Sequence, residues 1–172
     1  VDPQTKKIAP KPLSIFSCTP GSGPRHFCMD KDEKMLYVLN ELTNTIVSCT
    51  FEKSTGMITK KAEISTLSSQ AATTKLAAHI VLSPDSKYLV SSNRGENNLA
   101  VFTLNQSIPE KPVYVSTDGK TPRHFTFTRD GKYLIAGNQD SDNLTIYEWA
   151  TGGKLHKKFN VELPTPVCIV EK

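Results

Sequence analysis

The chain has few cysteines, and their positions do not suit a metal site. Its 172 residues include four, none in a Cys-X-X-Cys motif, so we expect no metal cofactor. Free thiols inside strands act as small apolar residues and are usual in a reducing compartment. We therefore expect a cytoplasmic protein. The four are Cys18, Cys28, Cys49 and Cys168.

Long apolar runs and a strong charge bias are also missing. No stretch is long enough to span a membrane or typical of a signal peptide, so we expect no membrane partner. The formal net charge of +4 is mixed in sign along the chain, which suits a small anionic substrate and is too diffuse for nucleic-acid binding. The signature motifs of serine hydrolases, P-loop nucleotidases and HEXXH zinc proteases are not found, so those classes lack support.

No long segment has a helical period; instead, one pattern occurs three times. In each copy a histidine is followed at fixed offsets by Asp, Lys, Leu and Asn. The histidines are His26, His79 and His124, so successive copies lie 53 and 45 residues apart. A period in this range indicates a repeat architecture.

The third copy shows most clearly what one repeat builds. Residues 123–128 are aromatic and β-branched, and residues 144–149 alternate between apolar and polar, as half-buried strands do. Tight turns are predicted around Asp130 and Gly131, because these residue types tolerate a left-handed backbone. With 133–136 and 155–163, the copy provides four antiparallel strands, the composition of a β-propeller blade.

We therefore predict an all-β fold, a partial β-propeller that occupies residues 1–172. Its three four-stranded blades are placed at 19–66, 76–119 and 121–164. Closed propellers have roughly four to eight blades, so three blades do not close a ring. We expect the ring to be completed by further parts of a longer protein, by a second chain or by self-association.

Three other segments lie outside the four-strand pattern. Residues 13–18 and 166–170 are predicted to be strands of the adjoining blades. Residues 65–75 are rich in Ser, Thr, Gln and Ala and are predicted to form an exposed loop or a short helix.

The copies differ from one another at two positions that matter for chemistry. After the recurring Asn they carry Glu, Arg and Gln, and before the recurring His they carry Arg, Ala and Arg. A propeller places equivalent positions around a common axis, so we expect these side chains to meet at one mouth of the central channel. Guanidinium groups suit carboxylate or phosphate oxygens, and a carboxylate among them can act as an acid or base. The six are Glu41, Arg94, Gln139, Arg25, Ala78 and Arg123.

The same residues also allow a structural interpretation. Glu41 can pair with Arg25 or Arg94 as a simple salt bridge, and the pattern alone leaves both interpretations open. Recurrence of the three histidines favours a packing or capping role. The recurring asparagines are expected to bond neighbouring turn backbone; they are Asn40, Asn93 and Asn138.

Four motifs resemble those of the seven-bladed lactonase family, which includes propeller-type 6-phosphogluconolactonases and fungal carboxy-cis,cis-muconate cyclases. The resemblance covers nearly the whole chain and corresponds to the C-terminal half of that family. It implies a seven-bladed parent protein. The motifs are Gly21–Phe27, Leu36–Glu41, Leu82–Asp85 with Tyr88–Gly95, and Pro122–Phe125.

In cyclase-like members of that family, the proposed site combines an Arg of the Pro-Arg-His motif, a Glu of the Asn-Glu motif, a later Arg and an earlier His. The resemblance maps the first three onto Arg25, Glu41 and Arg94. The earlier His has no counterpart in this chain.

The leading hypothesis is hydrolysis of a sugar-acid lactone such as 6-phosphogluconolactone in carbohydrate metabolism, without a cofactor. Glu41, Arg25 and Arg94 are the candidate catalytic residues. The alternatives are a carboxymuconate-type cycloisomerase and a non-catalytic interaction scaffold. The candidate substrate-binding residues are His26, His79, Arg123 and His124.

Overall fold

The backbone forms three antiparallel β-sheets that follow one another along the chain, which confirms the predicted all-β fold. The structure is a computed structural model, and it describes residues 4–8, 12, 14–68 and 76–171. Each sheet is a blade, numbered one to three in chain order. The strands are β1 (Pro24–Met29), β2 (Met35–Asn40), β3 (Thr45–Glu52) and β4 (Met57–Ser65) in blade one, β5 (Ala77–Leu82), β6 (Tyr88–Asn93), β7 (Asn98–Asn105), β8 (Ile108–Pro109) and β9 (Val113–Ser116) in blade two, and β10 (Pro122–Phe127), β11 (Tyr133–Asn138), β12 (Asn143–Ala150) and β13 (Lys154–Glu162) in blade three.

The turn between the first two strands of each blade has a left-handed residue at one position. Gly131 takes φ +70° in blade three, and Glu33 and Ser86 take +56° and +58° in the other two. In blade three the Thr128 hydroxyl donates to the Asp130 carboxylate at 2.7 Å, and the backbone N–H of Gly131 donates to the Thr128 carbonyl at 2.8 Å. These local bonds fix the hairpin that the sequence predicts.

Blade two has five strands instead of the predicted four, because its outer strand is divided. The short strand β8 pairs with the end of β7, whereas β9 pairs with the start of β7. Pro112 lies between β8 and β9, and a proline has no N–H with which to continue the ladder. Pro112 therefore marks the point at which the outer strand divides into two pieces.

Two hydrophobic cores lie between neighbouring blades and hold the sheets face to face. Burial of this apolar surface supplies the main driving force for stacking the repeats. The core between blades one and two includes Tyr37, Leu39, Ile46, Ile80, Leu89 and Phe102. The core between blades two and three includes Val90, Leu99, Phe125, Leu134 and Tyr147.

The recurring asparagines connect blade two to blade one and blade three to blade two. The side-chain N–H of Asn93 donates to the Thr66 carbonyl at 2.6 Å, and its amide oxygen accepts from the Thr66 hydroxyl at 2.7 Å. Asn138 donates in the same way to the Thr117 carbonyl at 3.0 Å. The expected backbone bonds are thus present in these two, but they reach the preceding blade. Asn40 instead donates to the Thr45 hydroxyl of its own blade.

The flanking segments carry no strand pairing among the described residues. A strand is recognised by its backbone hydrogen bonds to a neighbouring strand. The neighbours of residues 13–18 and 166–170 would belong to other blades, so both strands stay predictions. Phe16 packs against the outer face of blade one. Leu13 and residues 69–75, which include most of the expected loop, lie outside the described residues.

Helix is scarce in the part of the chain that the structure describes. It comprises one turn of 3₁₀ helix, Gln139–Ser141. No helix there has the length and apolar character needed to cross a membrane.

Candidate functional site

The first strands of the three blades lie side by side and bring the predicted site together. Strand β1 contacts β5, and β5 contacts β10. Each is the first strand in its blade's order, with the second, third and outer strands arranged beyond it. Residues at the same place in each inner strand therefore become neighbours, as the repeat predicts.

A β-bulge at the start of each inner strand directs side chains into this region. In β1 the pairing slips between Pro24 and His26, so Arg25 is the extra residue. In β10 the same slip lies between Pro122 and His124 and leaves Arg123 extra. A bulge re-aims the side chain that it carries. The Arg-His dipeptides therefore sit at irregular positions of the sheet, which the sequence pattern does not show.

The three residues after the recurring asparagines occupy equivalent backbone positions. Each donates its backbone N–H to the residue that lies just before its inner strand. Glu41 donates to the Gly23 carbonyl at 2.7 Å, Arg94 to the Leu76 carbonyl at 3.0 Å, and Gln139 to the Thr121 carbonyl at 3.0 Å. Because these bonds repeat, the three side chains start from the same place in each blade.

Glu41 lies between two guanidinium groups. Its Oε2 is 3.6 Å from Nε of Arg25, and its Oε1 accepts a hydrogen bond from Nη2 of Arg94. The side chains of Arg25, Glu41 and Arg94 are 18%, 28% and 11% exposed, so the cluster is sheltered but still reaches solvent. The predicted convergence of the three residues is present, and the salt bridges of the structural interpretation form at the same time. The catalytic roles stay predictions.

Both arginines are also held by backbone carbonyls, which the sequence pattern does not predict. Arg94 donates from Nε to the Leu76 carbonyl and from Nη2 to the Ala77 carbonyl, each at 3.3 Å. Nη1 of Arg25 donates to the Ala78 carbonyl. The sequence offers one indication of these contacts: residue 78 is a small alanine, whereas the other two copies have arginine at this position.

Each arginine has one terminal nitrogen that donates to none of the residues that the structure describes. Among the described residues, Nη2 of Arg25 and Nη1 of Arg94 have no hydrogen-bond partner. A guanidinium presents five N–H donors in a rigid plane, so the unused ones remain fixed in direction. Burial lowers the pKa of Arg25, nearby Glu41 opposes this effect, and Arg94 and Arg123 add to it. Two positive groups around one carboxylate leave an excess of positive charge that favours an anion.

Arg123 belongs to a separate pair in blade three. Its Nη1 donates to Oε1 of Gln139 at 3.1 Å. This pair occupies the place that Arg25 and Glu41 occupy in blade one, but it lacks a carboxylate. The structure therefore places Arg123 beside the Glu41 cluster without joining it to Glu41.

The three recurring histidines form one row along the inner strands. Nδ1 of His26 is 2.8 Å from Nδ1 of His79, and the rings of His79 and His124 stack with centroids 4.0 Å apart. Burial lowers the pKa of all three, most strongly for His79, where neighbouring His124, His26 and Arg25 assist and the pKa falls to about 3. All three are half-buried. Their predicted substrate-binding role stays a prediction.

Phe27 is a neighbour of the site that sequence reasoning missed. It is 66% exposed, and with Arg25, His26 and His79 it lines an open recess of about 300 Å³. Its equivalent in blade three, Phe125, is fully buried in the core. The equivalents Ile80 and Phe125 are buried against blade one and blade two, respectively, so Phe27 is exposed on the face of blade one against which no other blade of this chain packs.

A comparison with protein families identifies this architecture. The model of the family described as "Lactonase, 7-bladed beta-propeller" matches residues 1–171. The chain belongs to the seven-bladed β-propeller lactonase family. The resemblance found in the motifs is thereby confirmed.

Known members and solved structures agree with this membership. This lactonase-family chain is 31% identical over 157 residues to a 6-phosphogluconolactonase of Bacillus subtilis, a match covering 89% of the chain and 45% of the relative. A crystal structure of a Lactobacillus plantarum protein superposes with a TM-score of 0.88 at 32% identity, covering 91% of this chain and 47% of that one. The periplasmic gluconolactonase PpgL of Pseudomonas aeruginosa superposes with a TM-score of 0.80 at 26% identity. This match covers 86% of this chain and 42% of that one.

The lactonase-family chain spans about half the length of the curated relatives that it matches most extensively. One of its structural neighbours is named as periplasmic, so the expected cytoplasmic location stays a prediction. Within the described residues, no group of three or more His, Cys, Asp or Glu side chains is arranged to hold a metal ion.

Proposed function

We propose that this chain forms part of a complete propeller that hydrolyses a sugar-acid lactone, with 6-phosphogluconolactone as the leading substrate. The observation that carries the proposal is the position of Glu41 between Arg25 and Arg94 at the inner edge of the blades. The names of relatives support the reaction class. The Bacillus subtilis relative is a 6-phosphogluconolactonase, and the Pseudomonas neighbour is a gluconolactonase.

The reaction needs a base for water and a positive site for the developing oxyanion. In the proposed step, Glu41 takes a proton from water while the water oxygen bonds to the lactone carbonyl carbon. The carbonyl oxygen becomes an oxyanion, which the unused N–H groups of Arg25 and Arg94 stabilise. The intermediate then breaks the ring C–O bond, and Glu41 returns its proton to the leaving alkoxide. The product is the open-chain hydroxy acid, whose carboxyl group releases one proton to solvent.

The arrangement favours an anionic substrate over a neutral one. Arg25, Arg94 and Arg123 lie around the site, and among the described residues the one carboxylate paired with any of them is Glu41, which pairs with Arg25 and Arg94. A phosphate or carboxylate on the substrate would gain from this excess, because guanidinium groups match the geometry of those oxygens.

The test is acid release from 6-phosphogluconolactone by the complete propeller protein in a pH-stat, with the spontaneous rate subtracted. Glu41→Gln keeps the shape of the side chain but removes the base, so we expect kcat to fall about hundredfold or more. Glu148→Gln is a matched control, because Glu148 forms an exposed ion pair with Lys158 at 2.7 Å on the outer strands. It should retain wild-type turnover. Unchanged turnover in Glu41→Gln would remove Glu41 from the reaction, and no turnover by the wild-type protein on any lactone would reject the proposed function.

A further inference from the structure

Blade three carries an Arg–Gln pair at the place where blade one carries an Arg–Glu pair. Arg123 and Arg25 are both the extra residue of the bulge in their inner strand. Gln139 and Glu41 both donate their backbone N–H to the residue just before that strand. The contact is ionic in blade one, with Nε of Arg25 3.6 Å from Oε2 of Glu41, and neutral in blade three. The proposed reaction steps use the first pair and not the second.

The amide of Gln139 orients Arg123 without neutralising its charge. A guanidinium can only donate, so the amide presents its oxygen to Nη1 of Arg123, 3.1 Å away. None of the carboxylates in the described part of the chain pairs with Arg123. The neighbouring carboxylate of Asp140 accepts instead from the Thr121 hydroxyl. Arg123 therefore keeps a full positive charge in a fixed direction.

The Arg–Gln pair has hydrogen-bond donors left for a ligand. Nη1 is the one nitrogen of the Arg123 guanidinium that donates to a described residue, so Nε and Nη2 are not used by the part of the chain that the structure describes. The amide nitrogen of Gln139 also donates to none of these residues. Both side chains are half-buried. A cation with several N–H donors at one place suits the oxygens of a phosphate.

The Arg–Gln pair lies one blade away from Glu41 but within range of its cluster. Strand β5 contacts both β1 and β10, and it carries Ala78 instead of a third arginine. Burial lowers the pKa of Arg25 and Glu41 opposes this, whereas the charges of Arg94 and Arg123 add to the lowering. The reacting carbonyl and the phosphate of 6-phosphogluconolactone lie at opposite ends of its carbon chain. Such a substrate needs two separate positions for these groups.

We propose that Arg123 binds the phosphate of a phosphorylated sugar-acid lactone, and that the neutral side chain of Gln139 keeps Arg123 available for it. The inference rests on the proposed function, and it adds the substrate class: a phosphorylated lactone rather than an uncharged one. A carboxylate at position 139 would pair with Arg123 as Glu41 pairs with Arg25, and it would repel the phosphate. Gln139 therefore determines specificity and takes no part in the chemical step.

Removal of the Arg123 charge tests the phosphate contact by its effect on KM and kcat. The phosphate does not change during hydrolysis, so a contact to it stabilises bound substrate and transition state equally and acts on KM alone. For Arg123→Met in the complete protein, we expect KM for 6-phosphogluconolactone to rise about tenfold or more, with kcat within about threefold. Arg129→Met, in an exposed turn, is the matched control and should keep wild-type values. A loss of kcat on both 6-phosphogluconolactone and uncharged gluconolactone in Arg123→Met would overturn the proposal.

A change from amide to carboxylate tests the role of Gln139 with the side-chain shape kept. For Gln139→Glu, we expect KM for 6-phosphogluconolactone to rise about tenfold, because the new carboxylate pairs with Arg123. KM for uncharged gluconolactone should change much less. Gln106→Glu adds the same charge in the exposed turn between β7 and β8, and it should leave both values unchanged. An equal rise for the two lactones in Gln139→Glu would show that Gln139 does not set the preference, which overturns the proposal.

Binding of the open-chain acids separates this proposal from the proposed function. Titration calorimetry of the complete protein with 6-phosphogluconate and with gluconate needs no turnover. We expect 6-phosphogluconate to bind about tenfold more tightly or better, and this advantage to disappear in Arg123→Met and in Gln139→Glu. Equal affinities for the two acids in the wild type, or no binding of either, would overturn the phosphate site. Tight binding of 6-phosphogluconate by a protein that hydrolyses no lactone would reject the proposed function and support the phosphate site.

Discussion

The guanidinium of Arg94 donates to the carboxylate of Glu41 across the boundary between blade two and blade one. The two residues occupy equivalent repeat positions, each directly after the asparagine that ends the second strand. Glu41 and Arg94 differ in charge although they are equivalent, and Arg94 also bonds the carbonyls of its own blade. The difference between the copies therefore creates a contact that identical repeats would not make.

Arg94→Lys tests the need for a planar, multidentate cation at this boundary. Arg94 bonds two backbone carbonyls and Glu41 at the same time, whereas a lysine supplies one compact charge. We expect kcat/KM for the lactone to fall about tenfold or more. Arg129→Lys, in the exposed turn before β11, is the matched control and should keep wild-type values. Equal kinetics in the two variants would show that charge alone suffices at Arg94.

The excess of positive charge around Glu41 predicts a dependence on salt. Arg25, Arg94 and Arg123 attract an anionic lactone, and ions screen that attraction. We expect KM for 6-phosphogluconolactone to rise severalfold between about 0.02 and about 0.3 M salt, with a much smaller change for uncharged gluconolactone. If KM rose with salt concentration to the same extent for both lactones, the arginines would not bind the phosphate.

Asn93 should contribute strongly to stability. Its buried amide bonds Thr66 through both donor and acceptor, donates to Asn98 at 2.9 Å and accepts from Asn44 at 3.2 Å. Asn93→Leu leaves these partners unsatisfied, so we expect the free energy of unfolding in urea to fall by about 2–4 kcal/mol.

Asn105→Leu is the control for that substitution, because Asn105 is exposed at the end of β7. Its amide donates to the Glu110 carboxylate at 2.9 Å. We expect a change within about 0.5 kcal/mol. A similarly small loss for Asn93→Leu would show that the connection between blades is not a major source of stability.

The strands could be predicted from the sequence because each depends on local pattern and turn chemistry. The run from Tyr133 to Asn138 is apolar and bounded by turn residues, and it forms β11. The meeting of Glu41 with Arg25 and Arg94 followed from one further assumption, that repeats stack around an axis. Both inferences need only the period and the residue types.

The contacts within the site could not be predicted in the same way. The bulge at Arg25 is a property of strand pairing, and the carbonyls of Leu76 and Ala77 leave no trace in side-chain chemistry. The histidine row depends on distances between blades, which recurrence alone does not fix. Recurrence indicated packing for His79, and the structure adds a hydrogen bond to His26.

The low pKa of His79 predicts lower stability in acid. The folded value is about 3 against an ordinary 6.5, so between these pH values the unfolded chain binds a proton that the folded chain excludes. The free energy of unfolding therefore falls as pH drops below 6.5, by at most about 1.4 kcal/mol per pH unit for this one group. The lowered pKa values of His26 and His124 act in the same direction.

Urea unfolding of the complete protein at pH 7 and at about pH 5 measures this effect. His79→Asn removes the titrating group, so its loss of stability between the two pH values should be smaller than that of the wild type. His156→Asn, on the exposed outer strand β13, should keep the wild-type loss. An unchanged pH dependence in His79→Asn would contradict the assignment of the effect to His79.

The most direct test of the central claim is a crystal structure of the complete protein with the open-chain product acid bound. If Glu41, Arg25 and Arg94 form the reaction centre, the product carboxylate will lie within about 3 Å of an unused N–H of Arg25 or Arg94 and next to Glu41. A product bound elsewhere, with the two salt bridges of Glu41 unchanged and no ligand atom near them, would show that the cluster is structural and that catalysis takes place at another site.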